Sequence, residues 1–285
     1  MATLISDTRA SEIEEPLPAA RYDAVPHLWS DAGALGRYWD LLHNLVSRAI
    51  KLRYKRSVLG FAWTMLSPLV TMLILTAVFA GPFGGAVPKY PLFVIMGLLA
   101  WNLVALGSSQ GLGSIVDSGA LIRKVSVPKE IFPLAAVGAN LVNFVLSLVP
   151  LFVFIVILRV RVTWAVFWIL PAVLLLTMFT LGLALLLSTV HVFFRDVRYF
   201  YDSVLLAWFY VTPIVYPVDI LSPRVRTVLE WNPMYMLVQL FRASLYTGVA
   251  PGWRTLVIAA AESATMLVGG WAIFRRYQPR FVYYL

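Results

Sequence analysis

Apolar residues recur at helical spacing over residues 37–57, the segment that precedes the first long uncharged run. The apolar members are Tyr38, Leu41, Leu42, Leu45, Val46 and Ala49. This spacing places them on one face of a helix, while the opposite face is basic. The pattern therefore predicts an amphipathic helix that lies in the membrane interface. An uncharged run from Phe61 to Ala80 follows and is long enough to cross a bilayer.

Similar apolar runs continue to the end of the chain and predict an all-α membrane protein. Six transmembrane helices are expected at about 59–80, 92–115, 134–158, 164–192, 200–216 and 253–274. Between the last two, residues 218–247 form segments too short to span, rich in aromatic residues, which predicts short re-entrant helices. Gly107 and Gly111 lie one helical turn apart in the second run, so one face can approach another helix closely.

Composition supports the membrane assignment and adds a topology. The 285 residues are 60% hydrophobic and 13% charged, unlike an ordinary soluble domain. The net charge of +9 falls in short segments between apolar runs, which the positive-inside rule explains without nucleic acid. Cations are about twice as frequent on one set of loops, so we expect both termini in the cytoplasm. Residues 1–36 are polar and partly acidic and predict a disordered cytoplasmic tail before a membrane domain at 37–285.

Motifs for bond-breaking chemistry are missing from the sequence. The chain has no cysteine, which excludes disulfides, thiolate metal sites and cysteine nucleophiles. It has no phosphate-binding loop and no metalloprotease motif, and its three histidines are scattered. Its one Gly-x-Ser-x-Gly match, at Gly107–Gly111, lies inside an apolar run and not at the strand-to-helix turn that a serine hydrolase needs. We therefore expect a permease rather than an enzyme, with no metal or cofactor in this chain. A partner or an ion gradient would supply the energy.

Residues 117–133 interrupt the apolar pattern with three cations and two prolines. Their charge predicts a cytoplasmic loop. The stretch from Ser118 to Val125 can form a short helix that ends ahead of Pro128. A plain basic turn is the alternative.

Four segments, in order, carry a family resemblance. They are Lys51-Leu-Arg-Tyr-Lys-Arg-Ser-Val-Leu-Gly60 with Trp63 and Ser67-Pro68, Leu121-Ile-Arg-Lys-Val-Ser-Val-Pro-Lys-Glu-Ile-Phe-Pro133, Phe194-Arg-Asp-Val-Arg198, and Trp231-Asn-Pro-Met234. Together they resemble the permeases of ABC-2 type polysaccharide and lipopolysaccharide exporters, the family of O-antigen, capsule and teichoic acid exporters. The resemblance covers residues 37–285 and leaves out the acidic tail.

The resemblance implies an assembly and a role for several segments. It implies two copies of this chain with two copies of a separate ATPase subunit, which holds the ATP and Mg²⁺. The cargo would be a glycan linked to a polyprenyl pyrophosphate, exported across the bacterial cytoplasmic membrane. Residues 37–57 match the interface helix, residues 118–130 the coupling helix that docks on the ATPase, and residues 218–247 the outer gate helices.

Candidate site residues fall into three groups. The substrate pyrophosphate is expected at the densest cation cluster, formed by Lys51, Arg53, Lys55 and Arg56. Topology anchoring accounts equally well for any one of these cations. The residues expected to face the ATPase are Arg123, Lys124, Lys129 and Glu130. The channel and gate candidates are Trp208, Tyr210, Tyr216, Tyr235 and Phe241, for which a place in an interfacial aromatic belt is the alternative.

Three other functions stay open at this point. An ABC-2 type exporter of another lipid, a drug or haem would show the same segments. A membrane enzyme acting on polyprenyl-linked sugars would need paired acids, whereas Asp117, Glu130, Asp196 and Asp202 are separated. An ion-coupled secondary transporter is suggested by Glu262 alone, because ionisable residues inside spans are often functional.

Overall fold

The computed structural model describes residues 36, 38–124 and 127–285. Apart from residue 36, the predicted tail at 1–36 lies outside these residues. Throughout the described part the regular structure is helical, as the apolar pattern predicts. The helices are α1 (Trp39–Tyr54), α2 (Ala62–Phe83), α3 (Tyr90–Asp117), α4 (Gly119–Ile122), α5 (Ile131–Ile157), α6 (Ile169–Phe193), α7 (Val197–Val211), α8 (Pro223–Leu229), α9 (Pro233–Arg242), α10 (Trp253–Tyr277) and α11 (Phe281–Tyr284).

Five of the described helical segments are long and apolar enough to cross a membrane. They are Ala62–Phe83, Tyr90–Asp117, Ile131–Ile157, Trp164–Phe193 and Trp253–Tyr284, the fourth joining a 3₁₀ turn to α6. Each overlaps one of the predicted spans. Their lengths follow from long apolar runs, and the helical backbone satisfies its own hydrogen bonds as hydrocarbon requires.

The remaining predicted span, at 200–216, is replaced by the shorter helix α7. This helix has 15 residues and is about 22 Å long, less than the roughly 30 Å of a bilayer core. It ends at Val211, and Thr212 is extended. Pro213 and Pro217 follow, and proline cannot continue a helix as a backbone donor. A sixth full-length span is therefore not observed among the described residues.

Helix α3 forms the core of the bundle. Of its most apolar stretch, 83% of the residues are buried, compared with 17% for α2 and for α10. Gly107 lies against Thr180 of α6 so closely that a Cβ atom would come within 2.5 Å of its methyl group. A Cβ on Gly111 would collide with Ala184. The close approach predicted from the two glycines is thus confirmed, with α6 as the partner.

Helix α1 is amphipathic, as its spacing predicts, and packs along α5. The side chain of Val46 lies 3.3 Å from where a Cβ on Gly138 would sit. The predicted apolar residues Tyr38, Leu41, Leu42 and Leu45 contact the apolar cluster around Ile131. Arg37, the predicted first residue, lies outside the described part. A turn with left-handed backbone at Arg56 (φ 65°) and Gly60 (φ 49°) then leads the chain into α2.

Residues 218–247 form the two predicted short helices, α8 and α9, and a π turn at Ala243–Thr247. Pro223 is the first residue of α8, where its missing N–H costs nothing. Asn232 caps α9, because its side-chain oxygen accepts from the Met234 backbone N–H at 3.1 Å. Both helices are short for the reason the sequence indicates, namely that a proline starts each one and a glycine follows the second.

Helix α4 is the short helix expected between Ser118 and Val125. It covers Gly119–Ile122, and Arg123 and Lys124 continue as a turn. Residues 125–126 lie outside the described part. The C-terminal helix α11 packs beside this turn, with Leu285 3.6 Å from where a Cβ on Gly119 would sit.

Candidate functional site

The four candidate cations lie where α1 ends and turns into α2. Lys51 and Arg53 occupy the last turn of α1, where positive charge favours the helix dipole. Lys55 and Arg56 follow in the turn, which Ser57 braces by accepting from the Gly60 N–H at 3.2 Å. All four side chains are exposed.

These cations have no ion-pair partner among the described residues. The ion pairs there join Arg226 to Asp219 and Arg254 to Glu230, both far along the chain from α1. A cation without an internal counter-charge is available for an anionic ligand. The turn can therefore bind phosphate groups without first breaking a salt bridge.

The four cations do not all face the same space. Lys51 and Lys55 line a shallow groove of about 370 Å³ on the polar face of α1, together with Arg48 and Asn44. Arg53 instead lines a cavity between the helices. The sequence analysis left Arg48 out of the site, although it shares a helix face with Lys51 and Lys55 at spacings of three and seven residues. That spacing was the signal that could have found it.

The cavity beside Arg53 has a volume of about 340 Å³ and reaches from the α1–α2 turn to the middle of α3 and α5. Seven of its fourteen lining residues, not counting Tyr54 and Trp63, carry a polar or charged side chain. The lining residues are Arg53, Tyr54, Trp63, Thr64, Ser67, Pro68, Leu99, Asn102, Leu103, Leu106, Asn140, Asn143, Phe144 and Ser147. None of the asparagines was singled out from the sequence, because three amides on two helices show no local pattern.

Hydrogen bonds between helices fix the polar wall of this cavity. The Tyr54 hydroxyl donates to Asn143 Oδ1 at 3.4 Å and thereby links α1 to α5. Ser147 donates to the Thr64 carbonyl at 2.9 Å, which links α5 to α2. Asn140 donates to Gln110 Oε1 at 2.7 Å, which links α5 to α3. The wall is thus held in place by bonds that leave other polar atoms facing the cavity.

The residues expected to face the ATPase separate into two pairs. Arg123 and Lys124 are exposed after α4. Lys129 instead donates to the Gln278 carbonyl at 2.9 Å and lies 5.9 Å from the centre of the Phe281 ring. Burial lowers the pKa of the Lys129 ammonium, and the adjacent Glu130 carboxylate offsets part of that effect. Glu130 is only 2% exposed, so its carboxylate is not on the surface that a partner would meet.

The channel and gate aromatics are not brought together into one path. Trp208 donates its indole N–H to Asn232 Oδ1 at 2.8 Å, and Tyr216 donates to the Tyr210 carbonyl at 3.0 Å. Phe241 is fully buried, with its ring centre 5.7 Å from that of Phe144. These three side chains hold helices together rather than line open space.

Two of those aromatics do meet open space. Tyr210 is 62% exposed. Tyr235 is half-buried and lines a separate cavity of about 420 Å³ that also includes Glu230, Arg254 and Gln239. That cavity lies between α9 and the start of α10, away from the α1–α2 turn.

Sequence reasoning also missed Arg242, which it counted only among the cations on the outer side of the membrane. The side chain is 1% exposed and donates to the carbonyls of Pro213 (2.8 Å), Ile214 (2.8 Å) and Phe93 (3.1 Å). It also stacks 3.5 Å from the centre of the Phe93 ring. Arg242 thus ties α9 and the end of α7 to α3.

Glu262 is the residue that suggested an ion-coupled transporter. It lies near the middle of α10 and is partly buried. Its Oε2 atom is buried without a hydrogen bond among the described residues. It lies on a different helix from those that line the polar cavity and the cation groove, so the structure does not bring it into that site.

Comparison with known proteins places this arrangement in a family. Residues 41–246 match the model of the ABC-2 type transporter family. The chain is 33% identical to the O-antigen export system permease protein RfbA of Myxococcus xanthus, over 87% of this chain and 96% of that protein. It is 27% identical to RfbA of Klebsiella pneumoniae over 87% of this chain and 95% of that protein. It is 23% identical to the polysialic acid transport protein KpsM of Escherichia coli, over 81% and 91% respectively. The matched region runs from the first turn of α1 to beyond the end of α9 and contains the cation turn and the polar cavity, and the chain belongs to the ABC-2 type transporter family.

Proposed function

We propose that this chain is the transmembrane subunit of an ATP-driven exporter that moves a polyprenyl-pyrophosphate-linked polysaccharide across the bacterial cytoplasmic membrane. The observation that carries the proposal is the exposed cation cluster at the α1–α2 turn, which has no acidic partner in the part of the chain that the structure describes and lies beside a polar cavity. A lipid pyrophosphate presents its charge at headgroup depth, where such cations attract it. The relatives named for export of O-antigen and transport of polysialic acid support the same class of cargo.

The proposed topology has six membrane crossings with both termini in the cytoplasm. Helix α7 would be the fifth crossing, completed by the extended segment after Val211. Such irregular backbone is tolerated at membrane depth where protein covers it, and the bonds from Arg242 to Pro213 and Ile214 satisfy this condition. Helices α8 and α9 would then form the outer gate, and residues 37–285 the membrane domain.

The proposed assembly contains two copies of this chain and two copies of an ATPase subunit, which holds ATP and Mg²⁺. The exposed Arg123 and Lys124 would contact the ATPase, while Lys129 and Glu130 support the turn from within the chain. A short helix fixed between two long ones can transmit a rigid-body movement of the partner.

Purification in mild detergent from the native membrane tests the assembly and the energy source together. We expect a complex with equal amounts of this chain and an ATP-hydrolysing subunit, whose activity a lipid-linked glycan stimulates. A chain that purifies alone, without ATPase activity in any detergent tried, would contradict the proposal. It would favour the ion-coupled transporter that Glu262 suggests.

Charge reversal tests the docking surface. Because exposed cations next to α4 would meet the ATPase, Arg123→Glu combined with Lys124→Glu should lower export at least tenfold while the chain stays in the membrane. Arg161→Glu is the matched control, since Arg161 is an exposed cation in the loop between α5 and α6, outside both α4 and the proposed gate helices. Export is measured as polysaccharide at the cell surface, and normal export by the double variant would remove these two residues from the docking surface.

A further inference from the structure

The polar cavity between α2, α3 and α5 contains groups that the protein itself does not satisfy. The side chain of Asn102 makes no hydrogen bond to any described residue, although it lines the cavity. Asn143 accepts from Tyr54 through its oxygen, while its amide nitrogen has no acceptor among the described residues. Polar groups in a helix bundle are costly unless water or a ligand bonds to them. The cavity therefore holds polar contents.

The chemistry of the lining fits a sugar better than a second phosphate. Neutral amides both donate and accept, which matches hydroxyl groups, whereas an anion would need donors alone. Trp63 lines the same cavity and is 46% exposed, so its indole face is open for stacking. Within the lining, Arg53 is the one charged residue.

The position of the cavity relates that sugar to the cation cluster. Arg53 lies on its lining, and Lys51 and Lys55 lie within two residues of Arg53 on the same turn of chain. In a lipid-linked glycan the first sugar is bonded directly to the pyrophosphate. A pyrophosphate on these cations would thus place its first sugar at the entrance to the cavity.

The size of the cavity limits what it holds. Its volume of about 340 Å³ is at the small end of ligand sites, which range from roughly 300 to 1,000 Å³. This space suits an end unit and not an extended polymer. We propose that Asn102, Asn143 and Trp63 bind the sugar attached to the pyrophosphate, so that the permease recognises the lipid-proximal unit of its cargo as well as the charge. This inference rests on the proposed function.

Binding of two matched probes to the ATPase–permease complex in lipid nanodiscs tests the inference. One probe is radiolabelled farnesyl pyrophosphate, and the other is the same molecule carrying one N-acetylglucosamine on its terminal phosphate. Two or more hydrogen bonds and a stacked ring should make the sugar-bearing probe bind at least tenfold more tightly to the wild type.

Variants assign that difference to the cavity. Asn102→Ala should lower affinity for the sugar-bearing probe about fivefold to tenfold and leave the bare probe unchanged, since Asn102 makes no hydrogen bond to another described residue. Trp63→Ala should act in the same direction. Arg53→Gln should weaken both probes by a similar factor. Ser109→Ala, on the same helix as Asn102 but outside the cavity, should change neither.

The outcomes separate this inference from the proposed function. Equal binding of both probes to the wild type, or a tenfold preference that survives Asn102→Ala and Trp63→Ala, would overturn the sugar site while leaving the exporter intact. Failure of both probes to bind the wild type would overturn the cation site, and with it the basis of both proposals.

Discussion

Arg242 illustrates how a single charged residue can organise the apolar part of this protein. It is the largest fully buried side chain among the described residues, and its guanidinium bonds to three carbonyls from two separate segments. The ring of Phe93 covers one face of the guanidinium. These carbonyls belong to the turn that ends α7 and to α3, so Arg242 substitutes for the hydrogen bonds that the broken helix lacks.

Removal of this side chain should destabilise the bundle strongly. Arg242→Met would leave the carbonyls of Pro213 and Ile214 without their donor, at about 1–3 kcal/mol for each buried group, while the Phe93 carbonyl keeps its hydrogen bond within α3. We expect a large drop in the thermal unfolding midpoint in detergent, measured by intrinsic fluorescence. Arg224→Met removes an exposed arginine from α8 and should leave the midpoint unchanged. Equal midpoints for the two variants would show that the Arg242 bonds do not contribute to stability.

The role of Arg242 was out of reach of the sequence for a physical reason. An arginine at the end of a short aromatic helix has the same local pattern whether it anchors in headgroups or enters the bundle. The carbonyls of Pro213 and Ile214, more than 25 residues away in the sequence, determine that the Arg242 side chain enters the bundle, because they need a donor there. The position of Arg48 could have been predicted from the sequence, because its spacing of three residues from Lys51 places both on the same helix face.

At the scale of helices, the crossing of α6 and α10 depends on two glycines in direct contact. A Cβ on Gly270 would collide with the backbone carbonyl of Gly182, and one on Gly182 would collide with the backbone at Met266. Backbone cannot move aside as a flexible side chain can. The crossing is therefore closed to any larger residue at either position.

A pair of alanine substitutions tests this crossing on adjacent residues. Gly270→Ala should force the helices apart and cost about 1–3 kcal/mol, because overpacked cores shift backbone and rotamers. Gly269→Ala places the same methyl group where nothing lies within 4 Å, and it should be neutral or slightly stabilising because alanine favours helix. The readout is the unfolding midpoint of each purified variant. Similar losses for both would show that helix propensity, not contact, governs this segment.

The turn after α4 and the C-terminal segment form a second element-scale unit. Lys129 bonds to the Gln278 carbonyl, and Arg195 bonds to the Tyr284 carbonyl at 3.2 Å. The ring of Phe193 lies 4.8 Å from that of Tyr284. These contacts join the ends of α6, α10 and α5, so a force applied near α4 reaches three long helices at once.

Loss of the Lys129 contact should loosen that transmission without removing the exposed docking cations. Lys129→Met keeps much of the aliphatic volume but deletes the donor to Gln278, and we expect the amount of glycan exported per ATP hydrolysed to fall severalfold. The measurement compares export and hydrolysis in vesicles that contain the complete transporter. Arg276→Met removes an exposed cation near the end of α10 and is the control. If the ratio stayed at the wild-type value, the C-terminal segment would have no part in coupling.

The elements themselves were largely legible in the sequence. Apolar runs of span length set α2, α3, α5, α6 and α10, and prolines set the starts of α8 and α9. The short α7 was the exception. Residues 200–216 are apolar enough for a span, but the prolines at 213 and 217 end the helix before it reaches span length. The polar cavity was not predictable, because its walls come from four helices whose packing no local pattern reveals.

At the scale of the whole molecule, the faces of α2 and α10 are largely uncovered, each with 17% of its most apolar stretch buried. The two faces are not equivalent. Helix α2 carries Trp63, Thr64 and Ser67 of the polar cavity, whose mouth opens beside it. Hydrocarbon cannot satisfy such groups, so lipid is a poor cover for this side. A second copy of the chain that meets the first along α2 would enclose both cavities between them.

Cysteine cross-linking tests this arrangement without background, because the chain contains no cysteine. Positions 70 and 74 continue the helix face of Trp63 and Ser67, and Val70 and Ile74 are 44% and 58% exposed. In membranes treated with a mild oxidant, we expect Val70→Cys or Ile74→Cys to give a covalent dimer on non-reducing gels. Val268→Cys, on the open face of α10 and 60% exposed, should stay monomeric. A dimer from Val268→Cys with none from either α2 variant would place the interface on α10. Water, and not a second copy of the chain, would then have to satisfy the polar groups of the cavity.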